Sequence, residues 1–312
     1  MQSSWRRCGR IIGPDALPGD YRLTQVPTAW QLPDGLLRVF FSARDKNNCG
    51  QLLAVDLDPE AGMCIVREHY QPLVAIGSNP RYPMAGIGPG EALNIDGRLC
   101  LYGTALDHTV RPYDCSVVLL TSDNDGLSFN SVNQALSSAD NDGYPVALPA
   151  VKHHNGTWHL WYTAFERWLL DIKPHPDARY QIGHATSVDG RVWHPDKGKA
   201  IQFASSAEVG LARPTILEAK GRLEMWFSVR GPYSNKSPSL RYYRIAYAVS
   251  KDGEAWQRID EEHRFVNPAR VGEWDHQMQC YPNVFQVNGR TCMLYCGNWY
   301  GAGGFGYAMR ED

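Results

Sequence analysis

Residues 182–193 read IGHATSVDGRVW, and residues 245–256 read IAYAVSKDGEAW. In both stretches a strand-like run is followed by the pattern Ser-x-Asp-Gly-x-x-Trp. In such a turn the Ser and Asp side chains satisfy turn amides, and Gly adopts a positive φ. A looser copy, SDNDGLSF, occupies residues 122–129. The motif therefore predicts repeated strand–turn–strand units in which Asp189 and Asp252 are structural.

Working outward from these turns, a residue–proline pair opens each of five units, at intervals of about 60 to 70 residues. The pairs are Val26-Pro27, Gly88-Pro89, Leu148-Pro149, Arg213-Pro214 and Tyr281-Pro282. After each pair, alternating apolar residues around a short turn predict a β-hairpin. The predicted hairpins span 28–42, 92–104, 150–164, 215–229 and 283–297. Their turns are Asp34-Gly35, Asp96-Gly97, Asn155-Gly156, Lys220-Gly221 and Asn288-Gly289, all with glycine second.

Five such units predict an all-β fold, a single five-bladed β-propeller domain over residues 1–312. The predicted blades cover about 24–80, 84–140, 144–200, 208–265 and 278–312. After the strand predicted at 305–309 too few residues follow for a fourth strand in the last blade. We expect the segment Trp5–Ile12 to supply it and close the ring, which removes an exposed sheet edge.

Composition narrows the function classes. The net charge is −2, the sequence pI is near 6.5 and Lys/Arg runs do not exceed a pair, so neither nucleic acid nor a membrane is expected as a partner. An apolar run of 18 residues does not occur, and a cytoplasmic location is expected. The eight cysteines lack CxxC spacing and mostly lie in apolar strands, which predicts reduced thiols and no cysteine zinc site. No metal ligands and no cofactor are assigned, and whether a metal lies on the axis stays open. A small-molecule partner is expected, and the oligomeric state stays open.

The opening pairs and the Ser-x-Asp-Gly-x-x-Trp turns resemble the five-bladed propeller glycosidases, the superfamily that includes glycoside hydrolase families 32, 43, 68, 117 and 130. The resemblance covers essentially the whole chain. It implies an Asp at the opening of blade one, an Asp near blade three and a Glu near blade four. This sequence departs from that pattern, with Val26 and Leu148 at the first two positions and Glu208 as a loose match to the third.

Hairpin geometry locates a candidate site without those acids. The start of the first strand and the end of the second strand of a hairpin lie at the same end. Residues before each proline and after each second strand should therefore share one face around the axis, where such folds bind ligands. Predicted substrate-binding residues are Arg44, Asp45, Asp107, His108, Arg167, Trp168, Arg213, Arg230, Tyr281, Asn298 and Trp299.

The same face supplies the candidate catalysts. A glycosidase needs two carboxylates across the scissile bond, and Glu208 and Asp275 each stand shortly before an inner strand. Glu166 and His276 complete the set of predicted catalytic residues, with Glu91 and Asp142 in reserve. A lone histidine is more often a hydrogen-bonding partner than an acid or base, and that alternative stays open for His276.

Four arginines at this end (Arg44, Arg167, Arg213 and Arg230) favour an anionic sugar, because a guanidinium binds carboxylate or phosphate with two hydrogen bonds. The alternative is that they pair with Asp45, Glu166 or Glu208. We expect a glycoside hydrolase-like enzyme acting on an acidic or modified sugar. A non-catalytic sugar-binding propeller, or a sugar-transferring enzyme of surface-polysaccharide biosynthesis, is the alternative.

Overall fold

A computed structural model describes residues 3–75, 86–110, 112–171, 176–234 and 236–311. These residues are almost entirely β-structure, with 21 strands and a few single helical turns. Among them, no helix is long and apolar enough to cross a membrane. The first strand, β1, spans Ser3–Ile12.

The next four units each contain four consecutive antiparallel strands. The first unit comprises β2 (Tyr21–Gln31), β3 (Leu37–Asp45), β4 (Gly50–Asp58) and β5 (Cys64–His69). The second unit comprises β6 (Gly86–Ile95), β7 (Arg98–Asp107), β8 (Asp114–Ser122) and β9 (Ser131–Leu136). The third unit comprises β10 (Val146–His154), β11 (Thr157–Leu169), β12 (Asp177–Ser187) and β13 (His194–Ile201). The fourth unit comprises β14 (Gly210–Ala219), β15 (Arg222–Arg230), β16 (Arg244–Ser250) and β17 (Gln257–Arg258). A parallel bridge between Tyr180 and Gly210 joins the third and fourth units.

The fifth unit combines both ends of the chain. It is built from β18 (His263–Phe265), β19 (Cys280–Val287), β20 (Arg290–Cys296) and β21 (Phe305–Arg310), together with β1. The strand order is β18-β1-β21-β20-β19, so β1 lies antiparallel to β21 and parallel to β18. The N-terminal strand thus pairs with the last strand of the chain.

The hairpin turns agree with the sequence prediction. The second turn residue has a positive φ in all five hairpins, at Gly35, Gly97, Gly156, Gly221 and Gly289. In four of the turns the residue before the glycine also has a positive φ. Two consecutive positive φ values match the right-handed twist of the flanking strands. Turn chemistry readable from the sequence therefore sets the register of each hairpin.

The Ser-x-Asp-Gly turns are also formed as predicted. Ser187 Oγ donates to Asp189 Oδ1 over 2.9 Å, and the same Oδ1 accepts the amide protons of Arg191 and Val192. These backbone hydrogen bonds lower the pKa of Asp189 to about 2. Asp252 makes the equivalent contacts with Ser250 and two following amides. Both acids are structural.

The residue–proline pairs, by contrast, do not begin the strands as expected. Each lies inside the first strand of its unit, where the pairing register shifts. Four of the residues before proline have a positive φ: Val26 (49°), Leu148 (52°), Arg213 (52°) and Tyr281 (55°). Such a residue in a strand produces a β-bulge that bends the strand. In the second unit the register shift falls between Pro89 and Glu91, so Gly88-Pro89 is offset by one residue from the other four pairs.

A hydroxyl from the preceding unit holds three of these bulges in place. In each case the strained residue donates its backbone N–H to a Ser or Thr side chain near the end of a second strand. The pairs are Leu148 N to Thr104 Oγ1 (2.7 Å), Arg213 N to Thr163 Oγ1 (3.2 Å) and Tyr281 N to Ser228 Oγ (2.8 Å). Neighbouring units are therefore fixed to each other at the level of the bulges.

The eight cysteines are free thiols. Cys64 is exposed, Cys8 is partly exposed and the other six are buried in the sheets. Because thiol reagents need access to the sulfur, we expect native protein to react rapidly at Cys64 and slowly at Cys8. All eight should react after denaturation without reductant. Mass spectrometry after maleimide labelling measures this, and fewer than eight labels on the denatured chain would reveal a disulfide.

Candidate functional site

A central cavity of about 960 Å³ lies at the bulged end of the first strands. All five units contribute to its lining, and the second and third contribute most. Three of the bulge residues (Val26, Leu148 and Tyr281) lie in it. Its aromatic side chains are Tyr113, Phe165, Trp168, Tyr180, Tyr243 and Tyr281. A concave, mostly apolar cavity of this size with several aromatic side chains is typical of a small-ligand site.

The cavity lies at the end of the first strands where the sequence analysis placed its candidate site, and part of the predicted set lines it. Four predicted substrate-binding residues line the cavity: Arg44, His108, Trp168 and Tyr281. Seven others lie outside the lining: Asp45, Asp107, Arg167, Arg213, Arg230, Asn298 and Trp299. Asp45 and Asp107 accept hydrogen bonds from amides of the turns that follow them, and Arg167 is exposed.

Arg44 is the one formally charged side chain among the described lining residues. Its Nε donates to Gln25 Oε1 over 2.6 Å, and its Nη1 donates to Asn48 Oδ1 over 3.1 Å. Both partners are neutral amides, so the guanidinium is oriented without being neutralised. The described contacts of Arg44 do not include an ion pair with Asp45, which the sequence analysis gave as the alternative.

A hydrogen-bonded pair of tyrosines forms another wall. The hydroxyl groups of Tyr180 and Tyr243 are in hydrogen-bonding contact, and Arg230 Nε donates to Tyr180 over 2.6 Å. Arg230 itself is paired with Asp177 at 2.6 Å behind the lining. Burial raises the pKa of Tyr243 well above its ordinary value, and the same holds for Tyr113. These phenols therefore stay protonated and can donate hydrogen bonds to a ligand.

Arg213 sits beneath the cavity as a fully buried cation. Its guanidinium reaches Thr28 Oγ1 at 3.0 Å and the carbonyl of Pro149 at 3.4 Å, which links three units. Its Nε has no hydrogen-bond partner among the described residues. Burial lowers the pKa of Arg213 to about 10. The negative charge of Glu91, a partly buried side chain, opposes this shift, so the two residues lie close enough to interact electrostatically.

Glu91 makes stability depend on pH. Burial raises its pKa to about 7, against the opposing charges of Arg213 and Lys152. A raised carboxyl pKa means that the folded state retains a proton that the unfolded state has lost, so stability falls as pH rises from about 4.5 to 7. The variant Glu91→Gln lacks this titration. Between pH 5 and pH 8 the wild type should therefore lose about 2 kcal/mol of unfolding free energy relative to Glu91→Gln.

Urea unfolding at the two pH values measures the effect of Glu91→Gln. Glu254→Gln, at an exposed turn position, is the matched control and should leave the pH dependence unchanged. Parallel pH profiles for wild type and Glu91→Gln would contradict the assignment.

Glu208 is placed in a buried ion pair. It is 4% exposed, and both of its oxygens accept from Arg258, at 2.8 and 3.0 Å. Arg244 and the amide of Ala204 add further hydrogen bonds. Burial raises the pKa of Glu208, but the hydrogen bonds from Arg258 and Ala204 outweigh it and leave the pKa below its ordinary value. Glu208 is therefore ionised, and it is not in the described lining of the cavity.

Asp275 is fully buried and joins the N-terminal strand to the segment before β19. Arg7, on β1, donates its Nε to Asp275 Oδ2 at 2.8 Å and its Nη2 to Oδ1 at 2.6 Å. The hydroxyl of Tyr295 donates to the same carboxylate at 2.7 Å. The neighbouring His276 has its Nδ1 3.1 Å from the carbonyl oxygen of Glu273. Neither Asp275 nor His276 is among the described lining residues.

Glu166, the remaining predicted catalyst, is partly exposed and accepts from Arg179 Nε at 3.0 Å and from Gln181. The structure thus does not bring the four predicted catalysts together at the cavity, and their catalytic role stays a prediction. In the described part of the chain, none of the four arginines forms an ion pair with Asp45, Glu166 or Glu208; Arg230 uses Asp177 instead.

Comparison with known proteins places this architecture. A structure described as a glycoside hydrolase of the GH130 family of mannoside phosphorylases aligns over 99% of this chain and 94% of its own, with TM-score 0.71 and 14% identity. A thermostable family-43 glycoside hydrolase aligns over 96% and 91%, with TM-score 0.64 and 15% identity. The α-L-arabinofuranosidase of Podospora anserina, solved with cellotriose, aligns over 100% and 98%, with TM-score 0.66 and 11% identity. The chain has the fold of the propeller glycosidases.

Sequence similarity extends to proteins of Mycobacterium tuberculosis. The chain is 28% identical over 316 aligned positions to the uncharacterized protein Rv1502 of strain H37Rv, covering 99% of this chain and all of the relative. The corresponding protein MT1551 of strain CDC 1551 gives the same identity and coverage. No protein-family model matches the sequence. The resemblance stated from the sequence is thus confirmed at the level of the fold.

Three of the four tyrosines in the cavity lining were missed by sequence reasoning, which found only Tyr281. Tyr113 precedes β8, Tyr180 lies on β12 and Tyr243 precedes β16, so all three belong to third strands or the loops before them. Only the ends of first and second strands entered the topological argument. Antiparallel alternation places the start of a third strand at the same end as the start of the first, and this signal would have found them.

Proposed function

We propose that this protein binds a sugar with an anionic substituent in the central cavity. The observation that carries the proposal is the cavity lining, whose described residues include six aromatic side chains and one formally charged group, Arg44. Aromatic faces stack on the C–H faces of sugar rings, and a guanidinium binds a carboxylate or phosphate with two hydrogen bonds. The protonated phenols of Tyr113 and Tyr243 add donors for sugar oxygens.

The proposal includes a five-bladed propeller as the scaffold, with each unit as one blade and β1 closing the ring. Two features support it. Each of the five units has a register shift in its first strand, and β1 pairs with β21 in the fifth unit. The cavity would then lie on the propeller axis, since every unit contributes to its lining.

The described lining supports sugar binding rather than hydrolysis, because hydrolysis needs a pair of carboxylates. Val26 and Leu148 lie in the lining at the positions where the propeller glycosidases have acids. Among the described lining residues there is no Asp or Glu, and the sequences of stretches 76–85, 111, 172–175 and 235 contain none either. Two carboxylates roughly 5 to 10 Å apart are what the usual glycosidase mechanisms need. We therefore propose sugar binding as the function, with hydrolysis or transfer as outcomes to be tested.

A saccharide panel tests the proposal. Glucuronate, galacturonate, N-acetylneuraminate and their two- to four-unit oligomers are titrated by calorimetry, with glucose and galactose as neutral counterparts. We expect an anionic saccharide to bind with a Kd on the order of micromolar to millimolar and to remain intact after long incubation. No binding across the panel would contradict the proposal. Release of shorter saccharides would show that the protein hydrolyses the sugar, and hydrolysis would then be its function.

A further inference from the structure

Trp299 and Tyr300 have strained backbone conformations beside the cavity lining. Their φ values are 55° and 61°, in the left-handed region, and Gly301 follows at 103°. Large aromatic residues rarely adopt this conformation, and non-glycine residues in it concentrate at ligand-binding sites. The segment is consequently a candidate for function outside the cavity.

The strain is held by contacts with the first and fifth units. Gln25 Nε2 donates to the carbonyl of Tyr300 at 2.7 Å, and the amide of Tyr300 donates to Met278 Sδ at 3.3 Å. A Cβ at Gly301 would stand 2.1 Å from the carbonyl oxygen of Thr24, so this position requires glycine. The surrounding structure therefore fixes the backbone that carries Trp299.

In this arrangement the Trp299 side chain is 44% exposed, whereas tryptophan side chains are on average highly buried. The ring packs against Tyr242 in a T-shaped arrangement, with centroids 5.2 Å apart and planes at 76°. Such an edge-on contact steadies an indole without covering both of its faces. Trp299 is thus a rigid, partly exposed aromatic surface.

The surface is continuous with the cavity. Tyr300 packs against Tyr243 at 5.8 Å, and Tyr243 packs against Tyr281 at 5.5 Å; the latter two line the cavity. Arg241 lies 5.8 Å from the Tyr300 ring and 3.2 Å from its hydroxyl. An aromatic path with a second cation therefore leads from the cavity wall to Trp299.

We infer that Trp299, with Tyr242 and Arg241, forms a second sugar subsite outside the cavity, so that the ligand is an anionic oligosaccharide of at least two units. This inference rests on the proposed binding of a sugar in the cavity. A monosaccharide would occupy the cavity only, and a following unit would stack on the exposed surface of Trp299 with its charged group near Arg241.

The test compares saccharide length in wild type and in Trp299→Asn. Asparagine tolerates the left-handed backbone, so this variant removes the indole without adding strain. We expect the two- to four-unit oligomers of the panel to bind wild type on the order of tenfold more tightly than the matching monosaccharide. Trp299→Asn should lose this advantage while monosaccharide affinity is unchanged, and Trp299→Phe should restore most of it.

Three outcomes would overturn the inference. Oligomers that keep their advantage in Trp299→Asn, or that show none in wild type, would remove the second subsite while leaving cavity binding intact. Failure of every saccharide to bind wild type would overturn the proposed function, and the second subsite with it. A melting temperature of Trp299→Asn equal to wild type confirms that the comparison is made on folded protein.

Discussion

Replacing Asp275 with alanine is expected to lower the free energy of unfolding by about 3–5 kcal/mol. The substitution removes the fully buried carboxylate that accepts from Arg7 Nε and Nη2, and the 39% exposed Glu273 compensates the remaining charge only in part. Breaking one side of a buried ion pair in this way costs about 3–5 kcal/mol. The hydroxyl of Tyr295 loses its acceptor as well. Urea denaturation followed by tryptophan fluorescence measures the loss.

Glu273→Ala is the matched control for this prediction. Glu273 also accepts from Arg7 Nη2, at 2.7 Å, but its side chain is 39% exposed. An exposed ion pair contributes little, so Glu273→Ala should destabilise the protein much less than Asp275→Ala. If Asp275→Ala instead unfolds like wild type and abolishes turnover of a sugar, Asp275 is a catalyst rather than a structural residue.

Arg44→Leu is expected to weaken binding of an anionic saccharide by about tenfold to a hundredfold. A hydrogen bond to a charged group contributes about 1.5–3 kcal/mol, and Arg44 is the one formal charge among the described lining residues. Its present partners, Gln25 and Asn48, are neutral, so the loss of Arg44 leaves no buried charge unpaired and stability should change little. Calorimetric titration of wild type and variant gives the ratio of Kd values.

Two controls separate charge recognition from general damage to the cavity. The neutral counterparts of the same sugars should bind wild type and Arg44→Leu equally. Arg67→Leu removes an exposed cation that pairs with Asp34 at the hairpin-turn end, and it should not affect binding. Equal affinity of Arg44→Leu and wild type for every anionic saccharide would contradict the role of Arg44.

Local chemistry explains which parts of the fold were predictable. Glycine at the second turn position and the Ser187–Asp189 pair act within a few residues, so the sequence alone predicts the hairpins and turns. The pairing of β1 with β21 followed from counting strands in the last unit. The bulges were missed because a residue before proline ordinarily favours extended backbone, whereas Leu148 and Arg213 are held at positive φ by hydroxyls of the preceding unit.

The candidate acids show the limit of the topological argument. Strand order predicts the end of the sheet near which a residue lies, but not the direction of its side chain. Glu208 turns to Arg258, 50 residues away, and Asp275 turns to Arg7, 268 residues away. Such distant partners leave no trace in the local pattern around either acid. Arg44 and Trp168, by contrast, are the penultimate residues of the second strands β3 and β11, and both line the cavity.

A crystal structure of the protein with the tightest-binding anionic saccharide of the panel tests the central claim most directly. The account predicts a sugar ring inside the central cavity, in contact with Trp168 or with a tyrosine of the lining. The carboxylate of the sugar should lie within hydrogen-bonding distance of Arg44. A saccharide bound elsewhere while the central cavity stays empty would contradict it.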